Sequence, residues 1–281
     1  MKANKLRADI VYYVIMSFLC LVFLFPLYWM VTASFKPLSQ IFVTPYEWWP
    51  KSWIIDNFVR AWKHTGVISL TRVFLNTFYV AGMNVLLTLI SASLTAFAFA
   101  RIRFIGRDKL FIVLLATMML PGQVTMVPTY LIYSGLGLVN TFTVLFIGSV
   151  WGGGAFNVFL LRQFMMGIPM ELDEAAKIDG ASVFMIYYRI ILPLCKTALI
   201  TIAIWTFTGA YNDLMGPLIY ISDMTKQTIA AAIRVHLDEG GSGRPDYAIT
   251  VTTLSVIPLL TIFFFCQKQF MVGIKTTGLK G

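Results

Sequence analysis

The sequence predicts an all-α integral membrane protein with six transmembrane helices, and three observations predict it. Hydrophobic residues make up 58% of the chain and charged residues only 12%, where soluble domains run near a quarter charged. The apolar residues fall into runs long enough to cross a bilayer, which takes about 20 residues. Charged residues gather in the stretches between those runs.

The first span covers residues 10–35. Lys2, Lys5 and Arg7 precede it, as in a signal peptide, but the run is too long and no small-residue cleavage site is evident, so it reads as a retained anchor. The loop at 36–72 carries Pro45-Tyr46-Glu47-Trp48-Trp49-Pro50, then Trp53 and Trp62. Indole rings favour the membrane–water boundary, being apolar with one polar N–H. This predicts a short interfacial helix at 55–64 on the outer surface, either an anchor or a greeting surface for an external partner.

The second span covers 73–100. From Leu110 to Leu161 no charge interrupts the chain, a run of roughly two spans. Ser134-Gly135-Leu136-Gly137 marks the turn inside it, which gives spans at 110–131 and 141–161. The fifth and sixth follow at 190–214 and 247–267. Pro121-Gly122 and Pro128 interrupt the third span, Trp151-Gly152-Gly153-Gly154 the fourth, and Gly216-Pro217 ends the fifth. Broken helices at membrane depth are tolerated where the backbone lines a cavity or packs on protein. The glycine run therefore has two readings, the border of a polar pathway or close packing by small residues.

A net charge of +9 raises nucleic acid as a partner, but the distribution argues against it. The N-terminal Lys2, Lys5 and Arg7, the short loop with Arg101, Arg103, Arg107, Asp108 and Lys109, and the tail with Lys268, Lys275 and Lys280 fall on one side. The turn between spans three and four carries no charge. This positive-inside bias places both termini in the cytoplasm, with the segment 170–183. Cys20, Cys195 and Cys266 have no metal-ligand spacing and read as packing residues. His64 and His236 stand apart in outer loops and read as surface side chains; no metal site is expected. Arg234 through Asp246, with Gly240-Gly241-Ser242-Gly243 between, reads as an outer connector. No repeat or soluble domain is evident, so residues 1–281 read as a single transmembrane domain with a core at 73–270.

The one strongly charged island is Glu171-Leu172-Asp173-Glu174-Ala175-Ala176-Lys177-Ile178-Asp179-Gly180. Pro169 suits a helix start, and Glu171, Asp173 and Glu174 in the first turn offset the positive end of the helix dipole. Leu172, Ala175 and Ala176 form a small apolar surface at helical spacing. Gly180 supplies the left-handed residue that stops the helix, and Ser182 caps the next one. Pro193 is placed to kink the helix that leads into span five. From these residues alone the island is either a docking element or a solvated connection.

The spacing from Glu174-Ala175-Ala176 through Gly180 to Ile190 and Leu192-Pro193 resembles the signature loop of ABC importer permeases. Further stretches resemble the carbohydrate-uptake (maltose-type) branch. They are Phe25-Pro26-Leu27-Tyr28-Trp29 with Ser34-Phe35-Lys36, Ala96-Phe97-Ala98-Phe99-Ala100-Arg101 with Phe104-Ile105-Gly106-Arg107, and Leu136-Gly137-Leu138-Val139-Asn140-Thr141. Phe159-Leu160-Leu161-Arg162-Gln163-Phe164, Tyr211-Asn212-Asp213 and the tail Gly278-Leu279-Lys280-Gly281 fit as well. One departure is Tyr211, where many relatives carry tryptophan.

The resemblance implies a type I ABC importer permease of the bacterial cytoplasmic (inner) membrane. Its cytoplasmic coupling helix, at 170–183 between spans four and five, would sit in a groove of an ATP-hydrolysing subunit. Expected partners are a second homologous permease, two ATP-binding subunits, an external solute-binding protein, the lipid bilayer and a sugar or oligosaccharide. This chain would bind no cofactor, with ATP and Mg used by the partner subunits; it has no phosphate-binding Gly-x-x-x-x-Gly-Lys-Ser/Thr loop of its own. ATPase coupling falls to Glu171, Asp173, Glu174, Ala175, Ala176, Asp179, Gly180 and Pro193, with Glu174 the foremost charged contact. A sugar route needs hydroxyl-matching polar groups and flat aromatic faces, and the candidates are Asn157, Trp205, Tyr211, Asn212 and Asp213. Asp213 lines the pathway or lies wet at the outer boundary. The rival reading is an ion-coupled secondary transporter, but such proteins usually carry buried ionisable networks and often inverted repeats. A membrane-embedded enzyme is weaker, because no nucleophile–base set or paired carboxylates fall in the spans.

Overall fold

A computed structural model of the chain describes residues 2–63, 68–238 and 244–278. The expectations for His64, for Gly240-Gly241-Ser242-Gly243 and for the last residues Leu279-Lys280-Gly281 lie outside them, as do those for the side chains of His236, Lys268 and Lys275. Among the described residues every regular element is helical. Two compact units form, residues 1–71 with 232–257 and residues 72–231 with 258–281.

The first unit opens with α1 (Lys2–Ser34), followed by α2 (Leu38–Ile41) and α3 (Asp56–Lys63). α3 falls where the tryptophan-rich loop predicts an interfacial helix. Its Asp56 faces Arg60 one turn on, a pairing that supports short helices. Asn57 closes the end of α1, its amide donating to the carbonyls of Ser34 at 3.0 Å and Lys36 at 2.9 Å. Lys36 is fully buried. Its ammonium donates to the Tyr46 hydroxyl and the Glu47 carbonyl and lies 4.4 Å from the Tyr46 ring centroid, so the buried charge is compensated. Trp48, Trp49 and Trp53 remain exposed, as residues of a boundary belt would.

The second unit is built on α4 (Leu70–Arg101). After it come α5 (Arg107–Thr117), α6 (Gly122–Gly135), the 3-10 stretches Phe142–Leu145 and Ile147–Trp151, α7 (Ala155–Met166) and α8 (Glu171–Ile178). The chain continues through α9 (Val183–Ile186), a π turn at Tyr187–Ile191, α10 (Leu192–Leu194) and α11 (Lys196–Tyr211). Last in this unit are α12 (Met215–Tyr220) and a 3-10 turn at Met224–Lys226, while α13 (Ile229–Asp238) passes into the first unit after residue 231 and α14 (Pro245–Gly278) belongs to the first unit as far as residue 257. The core of this unit joins Phe97 of α4, Leu161 and Met165 of α7, Ala176 of α8, and Ile186 and Ile191 of the following helix.

The six expected spans are not six long helices. Among the described residues three helices are long and apolar enough to cross a membrane, at Asp9–Ser34, Leu70–Arg101 and Pro245–Gln267. Two bent pairs would raise the number to 5, the α5–α6 pair turning by 100° and the α9–α11 stretch by 77°. Pro121 has no N–H to continue α5 and disfavours helical geometry at Leu120, which explains the first bend. The second bend falls at Cys195, which ends α10 at ψ 9°, four residues past the π turn at Tyr187–Ile191. The segment at 141–161 is not one span-length helix. Gly152, Gly153 and Gly154 all take positive φ, 89°, 59° and 111°, where side-chain-bearing residues are disfavoured. The helix must restart at Ala155.

Candidate functional site

The acidic island folds as α8. Gly180 takes φ 81°, and Ala181 donates back to the Ala176 carbonyl at 2.8 Å, the hydrogen bond of a glycine-terminated helix. The Ser182 hydroxyl accepts from the Met185 amide at 3.2 Å, capping α9 as the sequence suggests. α8 has two faces. Glu171, Leu172, Glu174, Ala175 and Lys177 are exposed, and so are Asp179 and Gly180 beyond it, while Asp173 and Ala176 turn inward. Leu172, Ala175 and Ala176 therefore do not share one outer surface; Ala176 belongs to the core. Ile178, which sequence reasoning passed over, is 87% exposed. Its signal was an apolar residue on the polar side of a short helix. Pro193 lies off α8, in α10 beyond the π turn.

Asp173 faces Arg101, the last residue of α4, at 3.8 Å, and both side chains are buried. Arg101 also donates to the carbonyls of Met165 at 2.7 Å and Ile168 at 2.8 Å, where α7 ends and a cation offsets the negative dipole end. One guanidinium thus touches α4, α7 and α8. In the sequence it sits among basic loop residues that look only topology-setting, so nothing there singles it out.

Nearer the middle of the unit lies a cavity of about 340 Å³, within the range of small-ligand sites. Asn84 and Thr88 of α4, Ser149 and Gly153 of the broken segment, Asn157 of α7, and Trp205, Thr206 and Asp213 at the end of α11 line it. A hydrogen-bond web sets its shape. The Asn84 amide donates to the Leu145 carbonyl at 3.1 Å, and the Ser149 hydroxyl donates to the Asn84 carbonyl oxygen. Ser91 donates to the Ser149 carbonyl at 2.8 Å and accepts from the Gly152 amide at 3.0 Å. Gly153 is pressed on Thr88, since a Cβ there would lie 2.2 Å from the Thr88 hydroxyl oxygen. The glycine run therefore serves both readings, close approach and cavity border. Asp213 contributes the lining's one ionisable side chain, one of its oxygens accepting from the Gly216 amide at 3.0 Å.

Of the residues expected along a sugar route, Asn157, Trp205 and Asp213 come together here. Two do not. Tyr211 is buried, its ring stacked on Phe207 and edge-on to Phe78. Asn212 donates to the Thr208 carbonyl one turn back at 3.0 Å and does not line the cavity. Asn84, Thr88, Ser149 and Thr206 are lining residues the sequence did not reveal, because isolated polar residues in apolar runs look like helix-packing groups.

The match of chain to known proteins agrees with this geometry. Residues 89–274 match the model of a family described as the binding-protein-dependent transport system inner membrane component. Over 92% of its length the chain is 32% identical to a probable ABC transporter permease protein, YurM, of Bacillus subtilis, covering 84% of that protein. It is 28% identical to the arabinooligosaccharides transport system permease protein AraQ of Halalkalibacterium halodurans, with 94% of each chain covered. It is 31% identical to the sn-glycerol-3-phosphate transport system permease protein UgpE of Brucella abortus, over 90% of this chain and 91% of that one. Among solved structures, a chain of a bacterial ABC transporter involved in the import of the acidic polysaccharide alginate has the same fold. It superimposes with a TM-score of 0.82 at 20% identity, over 95% of this chain and 98% of that one.

Proposed function

The chain belongs to the family of binding-protein-dependent transport system inner membrane components, and we propose that it forms half of the translocation pathway of a sugar or oligosaccharide importer driven by ATP. As a transport component it does no hydrolysis. A second homologous permease completes the pathway, two ATP-binding subunits use ATP and Mg, and an external binding protein delivers the solute. Both termini and α8 face the cytoplasm. Residues 1–281 act as one transmembrane domain of six membrane crossings, the bent pairs and the broken segment at 141–161 included.

The carrying observation is the two-faced α8. Its Ala176 is sunk in the core while Glu171, Glu174 and Ala175 stand free, which suits an element seated in a groove of an ATP-binding subunit. Docked there, α8 would carry nucleotide-driven closure into the membrane through Gly180 and the kinked helix beyond it. The cavity supports the substrate class. Its amide, hydroxyl and carboxylate groups beside the Trp205 ring match sugar hydroxyls and a sugar's apolar face. Several of the relatives are named for oligosaccharide transport. The ion-coupled alternative finds no support among them.

The test is reconstitution of the complex in vesicles. Uptake of an oligosaccharide should stop when either ATP or the binding protein is withheld, whereas continued uptake on an ion gradient alone would refute the reading. Alanine at Asn157 and Asp213 should lower transport-coupled ATPase activity, and no change at either would remove the cavity from the route.

A further inference from the structure

The geometry points to Arg101 as the strut by which α8 moves α4, and through α4 the cavity wall. This rests on α8 as the docking element and adds the route its movement takes.

α4 carries both ends of the connection. At its C-terminal end Arg101 grips the carbonyls of Met165 and Ile168 and faces Asp173 in the first turn of α8. Further back along the same helix, Asn84 and Thr88 form part of the cavity lining. About 20 Å of continuous helix separates Thr88 from Arg101, and a helix of that length moves as a rod. The contact between Arg101 and Asp173 is an open one. At 3.8 Å it is an ion pair without a hydrogen bond, and the buried Arg101 Nε and Asp173 Oδ1 have no other partner. Closing the gap would add a charge-assisted hydrogen bond, so docking that presses α8 toward α4 is repaid in part, and the two carbonyl anchors keep the guanidinium in place to receive it.

Arginine is required for this role. Its planar fork reaches two carbonyls and a carboxylate at once, while a lysine ammonium supplies the charge as a single point. The experiment uses the assembled complex with Arg101→Gln and Arg101→Lys. Assembly is read by co-purification, and a cysteine at Ala175 reports docking by crosslinking to the ATP-binding subunit. Both variants should assemble and crosslink as the parent does. The stimulation of ATP hydrolysis by solute-loaded binding protein should fall by about tenfold, the scale of a lost coupling between sites. Stimulation within twofold of the parent in Arg101→Lys refutes the fork, and in both variants it refutes the strut while the docking reading stands. Absence of the crosslink in the parent removes both. If Arg101→Gln fails to assemble, Arg101→Lys decides alone, and stimulation within twofold of the parent then refutes the strut together with the fork.

Discussion

α4 is held in different ways at the two ends of this connection, in mid-helix beside the cavity and at its last residue beside α8. At the cavity end several modest bonds share the work, with Asn84 and Ser91 tied to the broken segment and Gly153 packed on Thr88. At the α8 end one cation meets three elements beside an apolar core of Phe97, Met165 and Ala176. The first arrangement is redundant and fixes shape. The second is concentrated and suits transmission. Variants at the cavity end should therefore disturb stability before coupling, and variants at the α8 end should do the reverse.

The largest expected effect lies on the outer face of α8. Ala175→Trp should bring solute uptake to the level of an ATP-free control while the protein still inserts and the thermal midpoint of the isolated subunit stays put. Normal uptake by a well-expressed variant would erase the contrast between the ends. Next is Gly153→Val, which forces a branched side chain into Thr88 at a positive φ and should destabilise the subunit by about 1–3 kcal/mol. Thermal denaturation of the purified complex reads it, and an unchanged midpoint would mean the close approach is not rigid. Asn84→Ala removes the donor to Leu145 and the acceptor for Ser149 and should cost about 1–2 kcal/mol, with the ratio of solute moved to ATP hydrolysed kept. A changed ratio at full stability would move the coupling element to the cavity end. The smallest is Ser182→Ala, which loses an exposed cap bond of 3.2 Å, about 0.5 kcal/mol, the low end for a helix cap. It should slightly increase amide exchange across α9 and leave the crosslink from α8 intact.

Local chemistry made much of this legible in advance. Gly180 and Ser182 act through neighbours a few residues away, and Pro121 bends the chain where it stands. The aromatic loop likewise announces α3 and its boundary tryptophans. The broken segment at 141–161 was harder. Its hydrophobicity equals that of a span, and only the geometry shows three consecutive glycines in conformations that no helix uses. Partners far apart in sequence were hidden altogether. Arg101 and Asp173 meet across a core that no single-chain periodicity describes, and Asn84 and Ser149 become a cavity wall only once α4 lies beside the 3-10 turns. Tyr211, an aromatic next to polar neighbours, is buried against Phe207 and Phe78, which no local pattern announces.

α1 gives the last lesson. None of the most apolar stretch of Asp9–Ser34 is covered, while its final residues are gripped by Asn57 and, within the same unit, approached by the Thr250 and Thr253 hydroxyls at 3.5 Å and 3.4 Å. It is a mast stepped at its foot only. Hydrocarbon tails are as apolar as its side chains, so the free length can rest on lipid or on another polypeptide with little change in energy. Whatever stands beside it in the bilayer is chosen by shape, and exchanging that neighbour leaves the footing undisturbed.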